Sequence, residues 1–563
     1  MRTVLTTLHS KFIHASLALP YLAAWCGDDC GEIVIREFTD HEPRENIAAI
    51  LLADEPDVVA FSVYIWNRQK SMELIDLLQT IRSDLRIVIG GPEVSFENEQ
   101  LFADHPGLSA LVHGEGEIPL KGVLQAWKQG DTPCAVPRLT WRNGDRIETA
   151  IAAPPLADLN QIPSPFRLGL TDLSRGFSYY ETSRGCPYSC SFCMSALDSS
   201  VRSFCIERIF DDLNYLIEHK VPKIKLVDRT FNYDPKRARQ IFAYILEHNQ
   251  GSHFHFEIGA HLLDEETLAL LETAPAGLFQ FEIGVQSTLP QTLMTIDRKV
   301  STDKVLENVA ALMRRTEVDI HLDLIAGLPG ESYTEFLQSI DTVMALHPQH
   351  LQIEPVKLLP GAPLRTDAAR LGIRFDPAPP YTIVCSDLLT YEQLEDIRAI
   401  SRLLDLSWNS GRLRGFLTQR AKTYGSFSAA LERLALALRD AGVFRHPLGQ
   451  AALFDAIWAV VKTEEQDQEL LRENLVRDYA LCERVLPNKI PDFFHTELTA
   501  KEQLHIQAVV KKEQESHKGE KIKMQFFAAR FNTLSPQRPH LRLFIYLTRA
   551  GVSQQIIEKI IFD

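Results

Sequence analysis

Along the first 150 residues, short apolar runs alternate with amphipathic ones. "TVLTTL", "EIVIREF", "DVVAFSV", "RIVIGG" and "ALVHGEGE" read as buried strands. Between them, "RENIAAILLAD" and "RQKSMELIDLLQTIRS" place apolar residues at helical spacing. The alternation predicts βαβ units and a parallel sheet with helices on both faces. Ligands bind such sheets beyond the carboxyl ends of the strands. Those ends read "LHSKFIH", "SVYIWN", "GGPEVSF" and "HGEGE". Their Gly, Ser and aromatic content suits close backbone approach to a flat ligand.

A proline-rich stretch, "AAPPLADLNQIPSPF", marks a linker. After it the alternation resumes in "FSYYETS", "KIKLVDRTF", "FHFEIGA", "LFQFEIGVQS", "DIHLDLIAGLPG" and "HLQIEPVKLLPG". Six strand–helix units predict an open or partial barrel with its chemistry at the strand C-termini. Beyond about residue 370 the strand signal fades. "YEQLEDIRAISRLLDLSWNSG", "FSAALERLALALRDAG" and "ENLVRDYALCERVL" read as helices, and a short hydrophobic "RLFIYLTRAG" precedes a final helix, "SQQIIEKIIF". The expected partition is a sheet domain at 1–150, a linker at 151–174, a barrel at 175–370 and a mostly helical domain at 371–563. The fold class is α/β.

The length, 563 residues, asks for roughly two to four domains. With 45% hydrophobic and 24% charged residues the chain reads as globular. No membrane span or secretory signal is expected, which points to the cytoplasm. A net charge of −15 argues against a general nucleic-acid binder. Nine cysteines, an odd number in a long chain, are not a disulfide framework.

Three of them stand together in "ETSRGCPYSCSFCM": Cys186, Cys190 and Cys193. A C-x3-C-x2-C loop brings three thiolates around one small volume. A [4Fe–4S] cube has four iron corners, so three thiolates leave one iron open for an external ligand. A structural zinc site is the alternative, and it normally needs four protein ligands. Cys205, Cys385 and Cys482 stand singly, as buried packing cysteines do.

"CPYSCSFC" resembles the signature of the radical S-adenosylmethionine (SAM) superfamily. The resemblance implies that SAM binds the open iron and is cleaved to an adenosyl radical. It places Phe192 near the adenine and Asp228, in "LVDRTF", at the SAM amino group, although the usual Gly-Gly-Glu is absent. Glu257, Gln286 and Ser287 fall where ribose and carboxylate contacts arise. Arg298 offers the SAM carboxylate a cationic partner. Leu324, Ile325 and Gly327, in "LIAGLPGES", resemble the adenine-binding strand.

A parallel nucleotide-like sheet ahead of such a barrel resembles the cobalamin-dependent radical SAM class, with a Rossmann-like (flavodoxin-like) cobalamin-binding sheet and a partial (β/α)6 radical SAM barrel. "VIGGPEVSF" and "HGEGEIPL" carry that likeness. It implies cobalamin contacts from Gly90, Gly91, Pro92, Glu93, Gly114, Glu115 and Glu117, with Ser62 as a further polar contact. The glycines would let backbone approach the corrin. Tyr64 and Trp66 are candidates for its lower face. The D-x-H-x-x-G motif of proteins with a lower histidine ligand is missing. His14 is present in "TLHSKFIHASLAL", but no histidine ligand below cobalt is expected. The dinucleotide fingerprint GxGxxG is also missing.

From Lys501 to Ala550, ten basic residues face four acidic ones. Lys511, Lys512, Lys521 and Lys523 stand near Phe526, Phe527 and Phe531, a composition that can hold phosphates and stack bases. The expected function is a cobalamin-dependent radical SAM methyltransferase acting on an unactivated carbon, with cofactors [4Fe–4S], SAM and cobalamin. Its partners are an external flavodoxin- or ferredoxin-like electron donor and a small-molecule substrate. Two alternatives remain open: a non-methylating rearrangement or oxidation with cobalamin, and tRNA modification using the basic C-terminal region.

Overall fold

The computed structural model describes all residues except 12, 98, 465, 487–488, 495–496, 519–521, 535–539, 550–554 and 562–563. It divides into two compact units. The first comprises Met1–His321, Gly327–Gly330 and Val356–Asp387; the second comprises Leu322–Ala326, Glu331–Pro355 and Leu388–Asp563.

The first unit opens with strands β1 (Arg2–His9), β2 (Glu32–Thr39), β3 (Val58–Ser62), β4 (Arg86–Gly90) and β5 (Leu108–Val112), then β6 (Leu139–Asn143) and β7 (Arg146–Thr149). They form one sheet in the order β2-β1-β3-β4-β5-β6-β7. The first five are parallel, and β6 and β7 add antiparallel. Alternate residues feed two cores because successive side chains leave opposite faces of a strand. Val4, Val59, Phe61, Ile87 and Ile89 pack with Ile47, Leu51, Ile75 and Leu78 of two helices. Leu5, Val58, Ala60, Val88 and Ala110 pack on the other face with Leu19, Leu120, Val123 and Leu124. The β6–β7 hairpin was not expected from sequence; Gly144, at φ +60°, makes its turn.

The second sheet of this unit contains β8 (Phe177–Tyr180), β11 (Lys223–Leu226), β12 (His253–Glu257) and β13 (Phe279–Gln286), parallel and in the order β13-β12-β11-β8. Two short strands, β9 (Ser183–Arg184) and β10 (Arg202–Ser203), pair antiparallel beside it. The strand–helix repeat continues through β14 (Asp319–Ala326) and β15 (His350–Pro355), so the six expected units are present in chain order. A small antiparallel pair, β16 (Arg374–Phe375) and β17 (Ile383–Cys385), follows.

In β13 every second residue is buried, and the phenylalanines take those positions. Phe242, from the helix Pro235–His248, packs against Phe256, Phe279 and Phe281. The opposite face of these strands is polar. Lys225 Nζ lies 3.2 Å from Glu282 and 3.6 Å from Glu257, and His255 Nε2 lies 2.8 Å from Glu282. Burial works against ionisation of Glu282, yet the His255 hydrogen bond and Lys225 outweigh it and bring its pKa down to about 2.

The second unit carries helices at Tyr391–Leu406, Arg414–Tyr424, Phe427–Asp440, Gln450–Val461, Gln468–Cys482 and Ala500–Ser516. Arg420 is fully buried and grips Glu464 through two bonds of 2.5 and 2.6 Å. The expected final helix is instead a strand. β18 (Ile522–Phe531), β19 (His540–Arg549) and β20 (Gln555–Ile561) form an antiparallel sheet on the helix Ala500–Ser516. The four isoleucines of "QIIEKII" explain it: β-branched side chains favour a pleated strand, and β19 supplies the paired edge. Among the described residues no helix is long and apolar enough to cross a membrane.

Candidate functional site

The cysteine loop hangs between β9 and β10. Gly185 opens it at φ +88°, where a Cβ would lie 2.3 Å from Ser200 O, so only glycine fits. The loop is then pinned by backbone bonds: Cys186 N to Asp198 O at 3.0 Å, Ser191 N to Ile296 O at 2.9 Å, and Leu364 N to Ser191 O at 2.9 Å. Cys186 and Cys190 are buried and Cys193 is half-buried. All three are free thiols.

Each sulfur faces a polar donor. Cys186 Sγ lies 3.7 Å from Thr230 Oγ1, Cys190 Sγ accepts from Arg298 Nη1 at 3.7 Å, and Cys193 Sγ accepts from Ser195 N at 3.4 Å. Burial pushes the Cys190 thiol up, and the Arg298 guanidinium pulls the other way. A structural zinc site normally takes four protein ligands, and the loop offers three thiols. A cube that spreads its thiolates over separate irons fits this donor set.

Arg298 also donates to Gly284 O, which ties Cys190 to β13. At the end of that strand Gln286 sits at φ +71°, with its Oε1 buried and without a partner. A buried orphan acceptor calls for a ligand donor, and this one stands in the stretch expected to contact SAM. Ser287 is fully buried, and its hydroxyl accepts from Leu289 N at 3.1 Å. Glu257 is held by Lys225. Phe192 is half-buried in the loop. Leu324 and Ile325 lie in the second unit, and Gly327, at φ +83°, in the first.

Asp228 is corrected by the structure. It is fully buried and accepts from Thr182 N at 3.0 Å, from Thr182 Oγ1 and from Ser183 Oγ at 2.5 Å. Its oxygens are spent on the strand that leads into the cysteine loop, not offered to a ligand.

In the first sheet the β2-β1-β3 order puts a crevice between the ends of β1 and β3. Tyr64 and Trp66 stack there, with ring centroids 4.6 Å apart and planes 4° from parallel. Trp66 is 47% exposed, and Ile13 and Phe96 at neighbouring strand ends are also exposed. A flat, partly apolar ligand would cover such a rim. Burial raises the Tyr64 hydroxyl pKa, so the group stays neutral. Asn67, a residue missed in the sequence, holds the loop. Its Oδ1 accepts from Tyr64 N at 2.8 Å, and its Nδ2 donates to Leu8 O at 3.0 Å and Thr7 Oγ1 at 3.2 Å. It is fully buried. Asn67→Ala is expected to cost about 2 kcal/mol or more, read as a lower midpoint of thermal unfolding, because several buried groups lose their partner at once.

The glycine-rich loops approach the chain itself. A Cβ on Gly91, at φ +112°, would lie 2.4 Å from Val63 O, and one on Gly90 would lie 3.3 Å from Val112 Cβ. At Gly114 the near atom is Arg138 Nη2, 2.4 Å away. Ser62 is buried, its carbonyl accepting from Thr7 Oγ1 at 2.8 Å, and Pro92 is exposed. Glu93 is buried, hydrogen-bonded by Tyr381 and 3.5 Å from Arg68. His14 Nδ1 lies 3.0 Å from Tyr179 Oη on β8, and burial lowers its pKa.

Glu115 and Glu117 join the two sheets. Glu117 lies 2.8 Å from Arg184 Nη2, and Glu115 reaches Arg184 at 3.3 Å and Arg202 at 2.5 Å. Glu181 completes the set at 2.8 Å from Arg184. Two arginines of the β9–β10 hairpin are therefore locked to the end of β5, so the cysteine loop is held in place by the first sheet.

Lys511, Lys512 and Lys523 are exposed, and Lys521 lies outside the described residues. Phe531 is core, and Arg530 pairs with Glu502 at 2.5 Å.

Three family models match the chain: a B12 binding domain over residues 3–124, the Radical SAM superfamily over 180–343, and a protein of unknown function (DUF4080) over 369–532. The chain is 32% identical over 340 residues to the cobalamin-dependent radical SAM methyltransferase TokK of Streptomyces tokunonensis, covering 55% of this chain and 48% of that one. It is 29% identical over 401 residues to a 2-(S-pantetheinyl)-carbapenam-3-carboxylate methyltransferase of Streptantibioticus cattleyicolor, covering 64% and 57%. It thus spans about half the length of these curated relatives. The solved structure of the cobalamin-dependent SAM radical enzyme OxsB, with aqua-cobalamin and SAM bound, shares the fold at a TM-score of 0.61 and 15% identity, over 92% of this chain and 84% of that one. The chain thus joins a B12 binding domain and a radical SAM domain on one polypeptide, and the cofactors of those two domains are cobalamin, SAM and a [4Fe–4S] cluster.

Proposed function

We propose that this protein transfers a methyl group to an unactivated carbon of a small molecule. The supporting observation is the clamp of Glu115 and Glu117 on Arg184 and Arg202, which fixes the cysteine loop against the B12 binding domain. Methyl transfer needs the two cofactor sites held in register, because a misplacement of about 1 Å costs about 10²-fold in rate. Relatives named as methyltransferases support the reading. When bound, the cluster and SAM supply radical chemistry that removes a hydrogen atom, and cobalamin supplies the methyl group.

The chain's own residues bind and position. Cys186, Cys190 and Cys193 hold the cluster. Gln286 and Arg298 would bind SAM, and the Tyr64–Trp66 stack would carry the corrin. The domain limits proposed are 1–150 for cobalamin, 175–370 for the barrel after a linker at 151–174, and 371–563 for the C-terminal domain. The electron comes from an external flavodoxin- or ferredoxin-like donor.

Anaerobic incubation with reductant, SAM and candidate small-molecule extracts tests the reading. The expected result is 5′-deoxyadenosine and S-adenosylhomocysteine formed together with a product one methylene heavier. 5′-Deoxyadenosine without S-adenosylhomocysteine overturns methylation in favour of a rearrangement or oxidation.

A further inference from the structure

A cavity of about 410 Å³ opens among Arg68, Phe96, Glu97, Pro360, Arg365 and Tyr381. Three parts of the first unit build it. Phe96 and Glu97 follow β4 in the B12 binding domain. Arg365 lies on the short helix whose Leu364 N bonds Ser191 O of the cysteine loop. Tyr381 comes from the stretch matched by the family of unknown function. The cavity therefore touches the corrin-side loop and, through Leu364, the cluster loop.

Its charges are unevenly used. Arg68 is shared between Glu97, at 2.6 Å, and Glu93, at 3.5 Å. Arg365 is different. Its guanidinium stacks 4.5 Å from the Tyr381 ring centroid and 5.1 Å from that of Phe375, and Nη1 donates to Leu358 O at 2.7 Å. Among the described residues no carboxylate lies within ion-pair distance of it. Stacking fixes the guanidinium plane and leaves donors free in a rigid fork. The walls beside it are prolines and the exposed Phe96 ring.

We propose that this cavity is the substrate-specificity site, and that it takes a monoanionic carboxylate carried on an apolar body, with Arg365 as the binding residue. The inference rests on the functional reading above. Glu93, held by Tyr381, acts on Arg365 only from beyond ion-pair distance, so the fork keeps room for one directly bound negative charge. The neighbouring Glu97 disfavours a dianion such as a phosphate monoester. The fork matches the two oxygens of a carboxylate, and the proline and phenylalanine walls match an apolar flank. The segment of unknown function, through Tyr381, then sets substrate choice by holding Arg365 in its plane.

The test is ligand-observed NMR titration of the full chain, anaerobically reconstituted with cluster and cobalamin. The probes are 4-phenylbutyrate, its neutral amide and 3-phenylpropyl phosphate. Wild-type protein is expected to bind the carboxylate about tenfold tighter than the amide, and tighter than the phosphate. In Arg365→Met the carboxylate binds no tighter than the amide. Glu97→Gln, which removes a negative neighbour and releases Arg68 from its 2.6 Å pair, tightens the carboxylate about threefold, with thermal unfolding of the variant measured alongside. Equal binding of acid and amide, a preference that survives Arg365→Met, or no gain in Glu97→Gln overturns the inference. Cluster absorbance and 5′-deoxyadenosine formation, measured on the same preparations, report on the functional reading separately, so either can fail while the other stands.

Discussion

Arg184→Met is expected to destabilise the first unit by about 3–5 kcal/mol, as removal of one partner from a buried ion set does. Arg184 sits between Glu181, Glu117 and Glu115, with side-chain exposure of only 15%. Burial acts to lower its pKa, but Glu181 and Glu117 hold it well above the ordinary arginine value. Burial in turn pushes the Glu181 carboxyl up, against the pull of Arg184. Methionine fills the space and leaves Glu181 and Glu117 facing one another without a cation, while Glu115 keeps Arg202. Arg184→Lys keeps the charge but loses the planar fork that reaches several partners at once, so an intermediate loss is expected. In Arg184→Met/Glu117→Gln part of the loss returns, because one stranded charge goes with the cation. The set is enclosed, so added salt should change these differences little. Urea unfolding of equally loaded protein reads the effect. A loss below about 1 kcal/mol in Arg184→Met, the range of exposed pairs, sinks the claim that this clamp fixes the loop.

That clamp was not legible in the sequence, and the reason is physical. Glu115 follows β5 while Arg184 and Arg202 pair on the β9–β10 hairpin, and nothing local marks a carboxylate as a partner of a guanidinium so far along the chain. The strands themselves were legible because burial on both faces demands continuous apolar runs, as in "VVAFS". The alternation in "FQFEIGVQ" was equally plain, with phenylalanines toward the helices and polar residues on the other face. The cysteine spacing was legible because three thiols on one loop have few other uses. Asp228 was misread because a strand-end carboxylate looks the same whether it faces a ligand or, as here, ties Thr182 and Ser183. Asn67 gave one signal, a polar residue closing an aromatic loop, which sequence reasoning passed over. The last strand was misread because "SQQIIEKIIF" also fits helical spacing, and only its pairing with β19 decides. The Glu93 carboxylate, expected at cobalamin, is spent on Arg68 and Tyr381, contacts that no spacing rule could reveal.

Cys190→Ser is expected to abolish the iron–sulfur absorbance of anaerobically reconstituted protein and all 5′-deoxyadenosine formation, while cobalamin is still retained. A serine oxygen stays protonated where a thiol ionises, so the third anchor of the cube is lost. Arg298→Gln separates this from a general disturbance of the loop. Arg298 touches Cys190 Sγ at 3.7 Å and carries no metal bond of its own. Its loss should act as that of an outer partner does, lowering cluster retention or SAM affinity by about 10–100-fold without abolishing the cluster. The two variants also differ in what they leave behind. Cys190→Ser keeps the Arg298 bond to Gly284 O and so keeps β13 in place, whereas Arg298→Gln frees both Cys190 and Gly284. Iron content, the visible spectrum and 5′-deoxyadenosine yield, measured side by side, give the ranking: wild type highest, Arg298→Gln reduced, Cys190→Ser at background. A Cys190→Ser protein that retained full iron content would remove the thiolate cage from the account. Equal loss in both variants would mean that Arg298 anchors the loop as a whole and does not tune one sulfur.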